Sequence, residues 1–149
     1  MTEKFYQQSI GFHMHFDPPT ATAQEKKARM LRGKMTFYDP PAVAEAKDLL
    51  ALQLRPHVPY MPFTGAVKLE VQWRFPYKTG HTDGEFRKTR PDTDNLDKAL
   101  KDIMTKLGFW RDDALVADEH VQKIWHKKFP GISIRITPIT GTEIMEVAN

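Results

Sequence analysis

Two aspartates, Asp92 and Asp94, stand at i and i+2, and a second pair, Asp112–Asp113, closes the same stretch: RPDTDNLDKALKDIMTKLGFWRDD, Arg90 to Asp113. Lys98 follows Asp94 by four residues. Carboxylates gathered on one spot repel each other unless a cation neutralises them. Mg²⁺ takes one or two protein carboxylates, several waters and phosphate oxygens. A lysine one helical turn from such acids meets the charge that develops on a phosphate. Taken singly, each aspartate is better explained as a helix cap or a turn residue, where Asp is common. Taken together, with the lysine and basic surroundings, they favour metal-assisted phosphate chemistry. An EF-hand loop is excluded, because Leu96 falls at its fifth position and Asp97 where glycine is required.

The element that must position these groups is a helix. Leu96, Ala99, Leu100, Ile103 and Leu107 recur at helical spacing and predict one aliphatic face. Asp94 is the expected N-cap, with Asp97 three residues on in a box-like arrangement. Gly108 is the expected stop, and Phe109 and Trp110 are placed to fold back onto the last turn. Asp94 and Lys98 fall on the outward side. Such a helix spans ~20 Å. The turn at Gly108 must therefore reverse the chain if Asp112 and Asp113 are to rejoin Asp92 and Asp94.

The segments Asp92-Thr-Asp94-Asn95-Leu96…Lys98 and Lys106-Leu-Gly108-Phe109-Trp110-Arg111-Asp112-Asp113 resemble the signature of RusA-type Holliday junction resolvases. That pattern is an acid-x-acid-Asn pair, a lysine four residues after the second acid, and a Gly-Phe-x-x-Asp-Asp turn. All are present, and a looser match extends over Gly65 to Pro138. The resemblance implies a small, homodimeric, Mg²⁺-dependent endonuclease of bacteria or phages, with Mn²⁺ as substitute, that nicks four-way DNA junctions symmetrically in recombination and repair. It implies Asp92, Asp94 and Asp113 as metal-binding acids, Asp112 as a further partner, and Lys98 as the catalytic lysine. Two alternatives stand beside it: a nuclease for other branched DNA, and a DNA-binding accessory protein without catalysis. Keeping all the acids argues against the second, since pure binding gains from removing negative charge beside phosphates.

The chain has 149 residues, a net charge of +3 and no cysteine, which excludes disulfides and thiolate zinc sites. No apolar run approaches the ~20 residues needed to cross a bilayer, and the expectation is a cytoplasmic protein. The basic residues are clustered. Lys26, Lys27, Arg29, Arg32 and Lys34 form one block, Arg87, Lys88 and Arg90 a second, and Lys123, Lys127 and Lys128 a third. Lysine and arginine clusters are the expected footprint of nucleic-acid binding, so these residues are candidate DNA contacts.

Ile10 to Phe16 reads as a first strand, with His13 and His15 on one half-buried face and no third ligand nearby. Residues 20–34 lack periodicity and read as a long loop that orders on a ligand. Asp39-Pro40 predicts a helix start, and Ala42, Val43, Ala46, Leu49, Leu50 and Leu54 one side of the helix. Residues 65–75 alternate strictly and predict a strand with one core face and one polar face. Residues 76–89 read as a polar loop that leads into the acids. Residues 114–128 read as a strand with a bulge near Asp118–His120, and Ile132, Ile134 and Ile136 as the last strand, the two forming a hairpin. The result is one α+β domain over residues 1–149: a mixed sheet with helices on one face, in the order β-α-β-α-β-β, and a frayed tail at 140–149.

Overall fold

The computed structural model describes residues 7–21, 27–38 and 40–141, with the backbone alone at 27–29, 31 and 36–38. In chain order the elements are β1 (Ile10–His15), β2 (Lys27–Leu31), β3 (Lys34–Tyr38), α1 (Pro41–Leu54), β4 (Val67–Pro76), α2 (Thr93–Leu107), β5 (Val116–His126) and β6 (Gly131–Pro138). Two short 3₁₀ turns, Arg55–His57 and Asp113–Leu115, precede β4 and β5.

The centre of the fold is β4. Val67, Leu69, Val71, Trp73 and Phe75 are buried, and the residues between them are half-buried on the opposite face, as a period of two requires. Ile132, Ile134 and Ile136 of β6 continue the buried face, and Met14 of β1 joins them. Both helices lie on this face. Leu50 and Leu54 of α1 and Leu96, Leu100, Ile103 and Met104 of α2 close the core over the sheet. The opposite face carries a polar row across four strands, His13, Ser133, Gln72 and Gln122. His13 Nδ1 lies 2.8 Å from Ser133 Oγ, and Gln72 donates to Gln122 at 3.0 Å. His13 is thus engaged within the sheet, and burial with the Arg74 charge pulls its pKa below the usual value.

The sheet order is β1-β6-β4-β5. The expected β5–β6 hairpin is not formed. β5 runs parallel to β4 on one side, and β6 runs antiparallel to β4 on the other. The short connection from His126 to Gly131 crosses the end of β4, a gap of two strand spacings, ~10 Å, that four extended residues span easily. Gly131 sits at the crowded end of this crossing. It has φ 139°, and a Cβ there would lie 1.9 Å from the Met14 carbonyl oxygen. The β4–α2–β5 unit is the parallel crossover that puts a helix between two parallel strands.

Three further expectations are corrected. The segment read as a long loop carries an antiparallel hairpin, β2 paired with β3 from Lys27↔Tyr38 to Leu31↔Lys34. Arg32, at φ 50°, and Gly33, at φ 75°, turn it; the left-handed pair is the hairpin signal. The bulge in β5 falls at Ala117, where the register steps from Val67↔Val116 to Lys68↔Asp118. In α1 the cap position is Pro40, and Ala42 and Leu49 are exposed. The expected cap at Asp39 and most of the expected tail lie outside the described residues.

Candidate active site

α2 begins two residues earlier than expected, and Asp94 is not its N-cap. The N-cap is Asp92, with φ −74° and ψ 148°, and its carbonyl accepts the first helical bond from Leu96 N at 3.1 Å. Its side chain accepts no capping bond. Asp94 lies in the first turn and is exposed. The partial positive charge of a helix N-terminus favours two acids there by roughly 0.3–1 kcal/mol each. Asp92 thus favours the helix through its charge alone and leaves its carboxylate oxygens free of a capping bond. Lys98, one turn on, is exposed on the same outward side. At the other end, Gly108 takes φ 94° and donates to Met104 and Thr105 carbonyls. Phe109 and Trp110 fold back and are buried, and Trp110 Nε1 donates to Thr105 Oγ1 at 2.7 Å.

The second acid pair divides its work. Asp112 Oδ1 accepts from Ala114 N at 2.9 Å and caps the 3₁₀ turn. Asp113 opens that turn and is exposed. Two rulers place this pair far from Asp92 and Asp94. α2 has 15 residues and spans ~22 Å between them. β5 starts opposite Val67, whereas Lys123, which reaches the chain just before Asp92, lies opposite Trp73, six residues or ~20 Å further along β4. The chain does reverse at Gly108, but into a strand antiparallel to the helix. Among the described residues no three His, Asp or Glu side chains gather to hold a metal ion.

The segment that leads into the acids is tied down. Gly84 N donates to Trp125 O, Trp125 N to Glu85 O, and Arg87 N to Lys123 O, at 2.7 to 2.9 Å. The Arg87 guanidinium lies 4.3 Å from the Phe75 ring centre and 4.6 Å from that of Trp125. It also donates to the Arg90 carbonyl and to Thr89 Oγ1. Lys123 Nζ donates to the carbonyls of Thr89 at 2.7 Å and Pro91 at 2.8 Å. Burial and the Arg87 charge pull the Lys123 pKa below its usual value, against the Asp92 carboxylate. Arg87 and Lys123, candidate DNA contacts by sequence, thus bind the protein's own backbone and brace the start of α2. Lys88 and Arg90 are exposed beside them, as is Arg32 on the hairpin turn. Lys26 lies outside the described residues, and so do the side chains of Lys27 and Arg29.

One cluster escaped the sequence reading. Asp97 is no part of a capping box; it is 6% exposed and the only buried charged residue among those described. Lys101 Nζ lies 3.4 Å from Asp97 Oδ2 and hydrogen-bonds Glu119 Oε1 on β5. Asp97 Oδ1 is buried without a hydrogen-bond partner. Burial, then the hydrogen bond and charge of Glu119, push the Asp97 carboxyl up to about 7. The hydrogen bond from Asp97 and the Lys101 charge hold Glu119 below the usual carboxylate range. The i,i+4 spacing of Asp97 and Lys101 was legible in the sequence. Glu119 was not, because strand pairing brings it there.

Exposed carboxylates and an outward lysine, on a helix braced by arginine and lysine, are groups that metal-assisted phosphate chemistry would use. Residues 17–137 match the family described as Endodeoxyribonuclease RusA. A "Crossover junction endodeoxyribonuclease rusA" of Lactococcus phage r1t is 32% identical over 130 residues, 86% of this chain and 97% of its own. An "Uncharacterized protein YqaN" of Bacillus subtilis (strain 168) is 27% identical over 144 residues, 89% of this chain and 98% of its own. A "Crossover junction endodeoxyribonuclease RusA" of Escherichia coli (strain K12) is 48% identical over 48 residues, 32% of this chain and 40% of its own. The chain belongs to the RusA family of endodeoxyribonucleases.

Proposed function

We propose that the protein nicks four-way DNA junctions in a divalent-cation-dependent phosphodiester hydrolysis, acting as a homodimer in DNA recombination and repair. The observation that carries the reading is the Asp92 side chain: it occupies the N-cap position and caps nothing, so its carboxylate is available for other work. The crossover junction endodeoxyribonuclease of phage r1t, similar over most of both chains, supports the substrate. The working place would be the cytoplasm of a bacterial or phage-infected cell; no described helix is long and apolar enough to cross a membrane.

The donor set fits a hard cation, since Asp92, Asp94, Asp112 and Asp113 offer exposed carboxylate oxygens and no sulfur or imidazole. Mg²⁺, or Mn²⁺ in its place, would be held by Asp92, Asp94 and Asp113, with Asp112 keeping one oxygen on its turn. When bound, such an ion lowers the pKa of water and neutralises developing charge on the phosphate. Lys98 orients the scissile phosphate and offsets its added charge. Arg87 and Lys123 keep the Asp92 end of α2 in place while DNA binds.

One chain leaves its two acid groups at opposite ends of α2. A two-fold axis that sets two α2 helices antiparallel would bring Asp92 and Asp94 of one copy to Asp113 of the other, twice. Such a dimer makes two equivalent sites, as paired symmetric nicks need. The test is a nicking assay on a synthetic four-way junction. Paired nicks with Mg²⁺ or Mn²⁺ and none in EDTA are expected. Equal cleavage in EDTA, or cleavage of linear duplex at the same rate, overturns the reading.

A further inference from the structure

The β2–β3 ribbon stands apart from the rest of the fold. It forms its own two-stranded sheet, and neither strand packs broadly on another element. Its root is fixed. Pro19 and Ala21, which lead into it, line a crevice with Leu96 and Ala99 of α2, and Pro40, which follows it, is buried. The ribbon therefore leaves the body on the helix-covered face, beside the half of α2 that carries Asp94 and Lys98. Each strand has five residues, a reach of about 17 Å.

Two features set the tip apart. Pairing places Met30 opposite Met35 on one face of the ribbon, and both are exposed, at 66% and 65%. An isolated two-stranded hairpin is only marginally stable in water, so an uncovered apolar pair is a place where a partner adds stability. Between the two methionines Arg32 and Gly33 turn the chain, both at positive φ. Asn or Gly suits the first of these positions without strain, yet an arginine stands there, exposed beside Lys34. Residues 27–38 hold four cations, Lys27, Arg29, Arg32 and Lys34, and no Asp or Glu. A partner for this tip must be strongly anionic and must also offer apolar edges between its charges. A DNA groove has that chemistry: phosphates along both walls, with sugars and base edges between them. A major groove about 12 Å wide admits a two-stranded ribbon. A second copy of the chain fits worse, because it brings the same acid-free cationic ribbon and a net charge of +3.

We infer that the β2–β3 ribbon is an arm that enters a groove of the duplex held at α2, with Met30 and Met35 against sugar and base edges and Arg32 and Lys34 on the flanking phosphates. The inference rests on the junction-nicking reading and adds to it a second hold on the substrate. An arm rooted beside Asp94 and Lys98 fixes the direction in which the duplex leaves the acids.

The experiment places benzoylphenylalanine at Met35 in the full-length protein and irradiates it with a labelled four-way junction in Ca²⁺, which slows cutting. The DNA label should attach to the protein. Crosslinking of two copies in place of DNA, or of nothing, overturns the arm. Arg32→Ala with Lys34→Ala should lower the log–log salt slope of junction binding by about 1.8, two contacts at about 0.9 each. Met30→Ser with Met35→Ser should weaken binding about tenfold and leave the slope unchanged, as loss of an uncharged contact does. Both double variants should melt with the wild type, since all four side chains are exposed. Wild-type affinity and slope in both variants also overturns the arm. Failure of the wild type to nick any junction overturns the proposed function instead, and the crosslink still decides the arm.

Discussion

Lys101 of α2 reaches across to Glu119 of β5 while it stays 3.4 Å from Asp97 on its own helix. This pair of contacts ties the helix that carries Asp94 and Lys98 to the edge strand of the sheet. It also holds a carboxyl whose charge the fold disfavours.

A pH dependence of stability follows. The folded Asp97 carboxyl is pushed up to about 7, above the ordinary aspartate value of 3.8. The folded state therefore holds a proton that the unfolded state has lost between those values. The stabilisation is full below about pH 4 and fades as pH rises through about 7. Asp97→Asn keeps a neutral group at every pH. It should gain stability over wild type by about 1–2 kcal/mol at pH 8 and lose that advantage by pH 4. Urea melts at the two pH values measure it. A constant difference between variant and wild type at both would place the titration elsewhere.

Lys98→Ala should lower nicking by a hundredfold or more and leave the melting temperature unchanged. The side chain is exposed, so its removal opens no cavity. Normal cutting by a folded Lys98→Ala protein would remove the catalytic role from this lysine.

Asp92→Asn and Asp113→Asn should each bind a junction in metal-free buffer at least as well as wild type. A carboxylate beside a phosphate repels it, so losing one favours binding. Each should fail to cut in Mg²⁺. Mixing the two variants is the sharper measurement. If each site takes Asp92 from one copy and Asp113 from the other, a mixed dimer contains one intact site. Single nicks should then reappear. A mixture as dead as its parts means that both acids act within one chain.

Lys123→Met removes two hydrogen bonds to the Thr89 and Pro91 carbonyls. It should cost about 1–3 kcal/mol of stability, as charged hydrogen bonds do. It should lower kcat about tenfold, because the Asp92 end of α2 loosens. A phosphate contact predicts something else: a change of about 0.9 in the log–log salt slope of binding. Binding measured over a salt series separates the two. A slope change with unaltered kcat would make Lys123 a DNA contact and not a brace.

Local rules sufficed where one element decides its own form. The strict alternation of β4 named its core residues, since a strand has only two faces. The stripe from Leu96 to Leu107 and the stop at Gly108 gave α2, and they put Asp94 and Lys98 outward. The acid pairs and the lysine were legible as a pattern of residue types. Period alone, however, says which face a strand buries and not which strand lies beside it. β5 and β6 looked like a hairpin because they are neighbours in the chain, but β4 lies between them. Only that arrangement puts Glu119 against Asp97 and Lys101, and Lys123 against Pro91. It also keeps the two acid groups at opposite ends of α2, because Asp112 and Asp113 stand just before β5, which starts opposite Val67. These outcomes depend on contacts between residues far apart in the chain, and such contacts are chosen by the packing of the whole sheet.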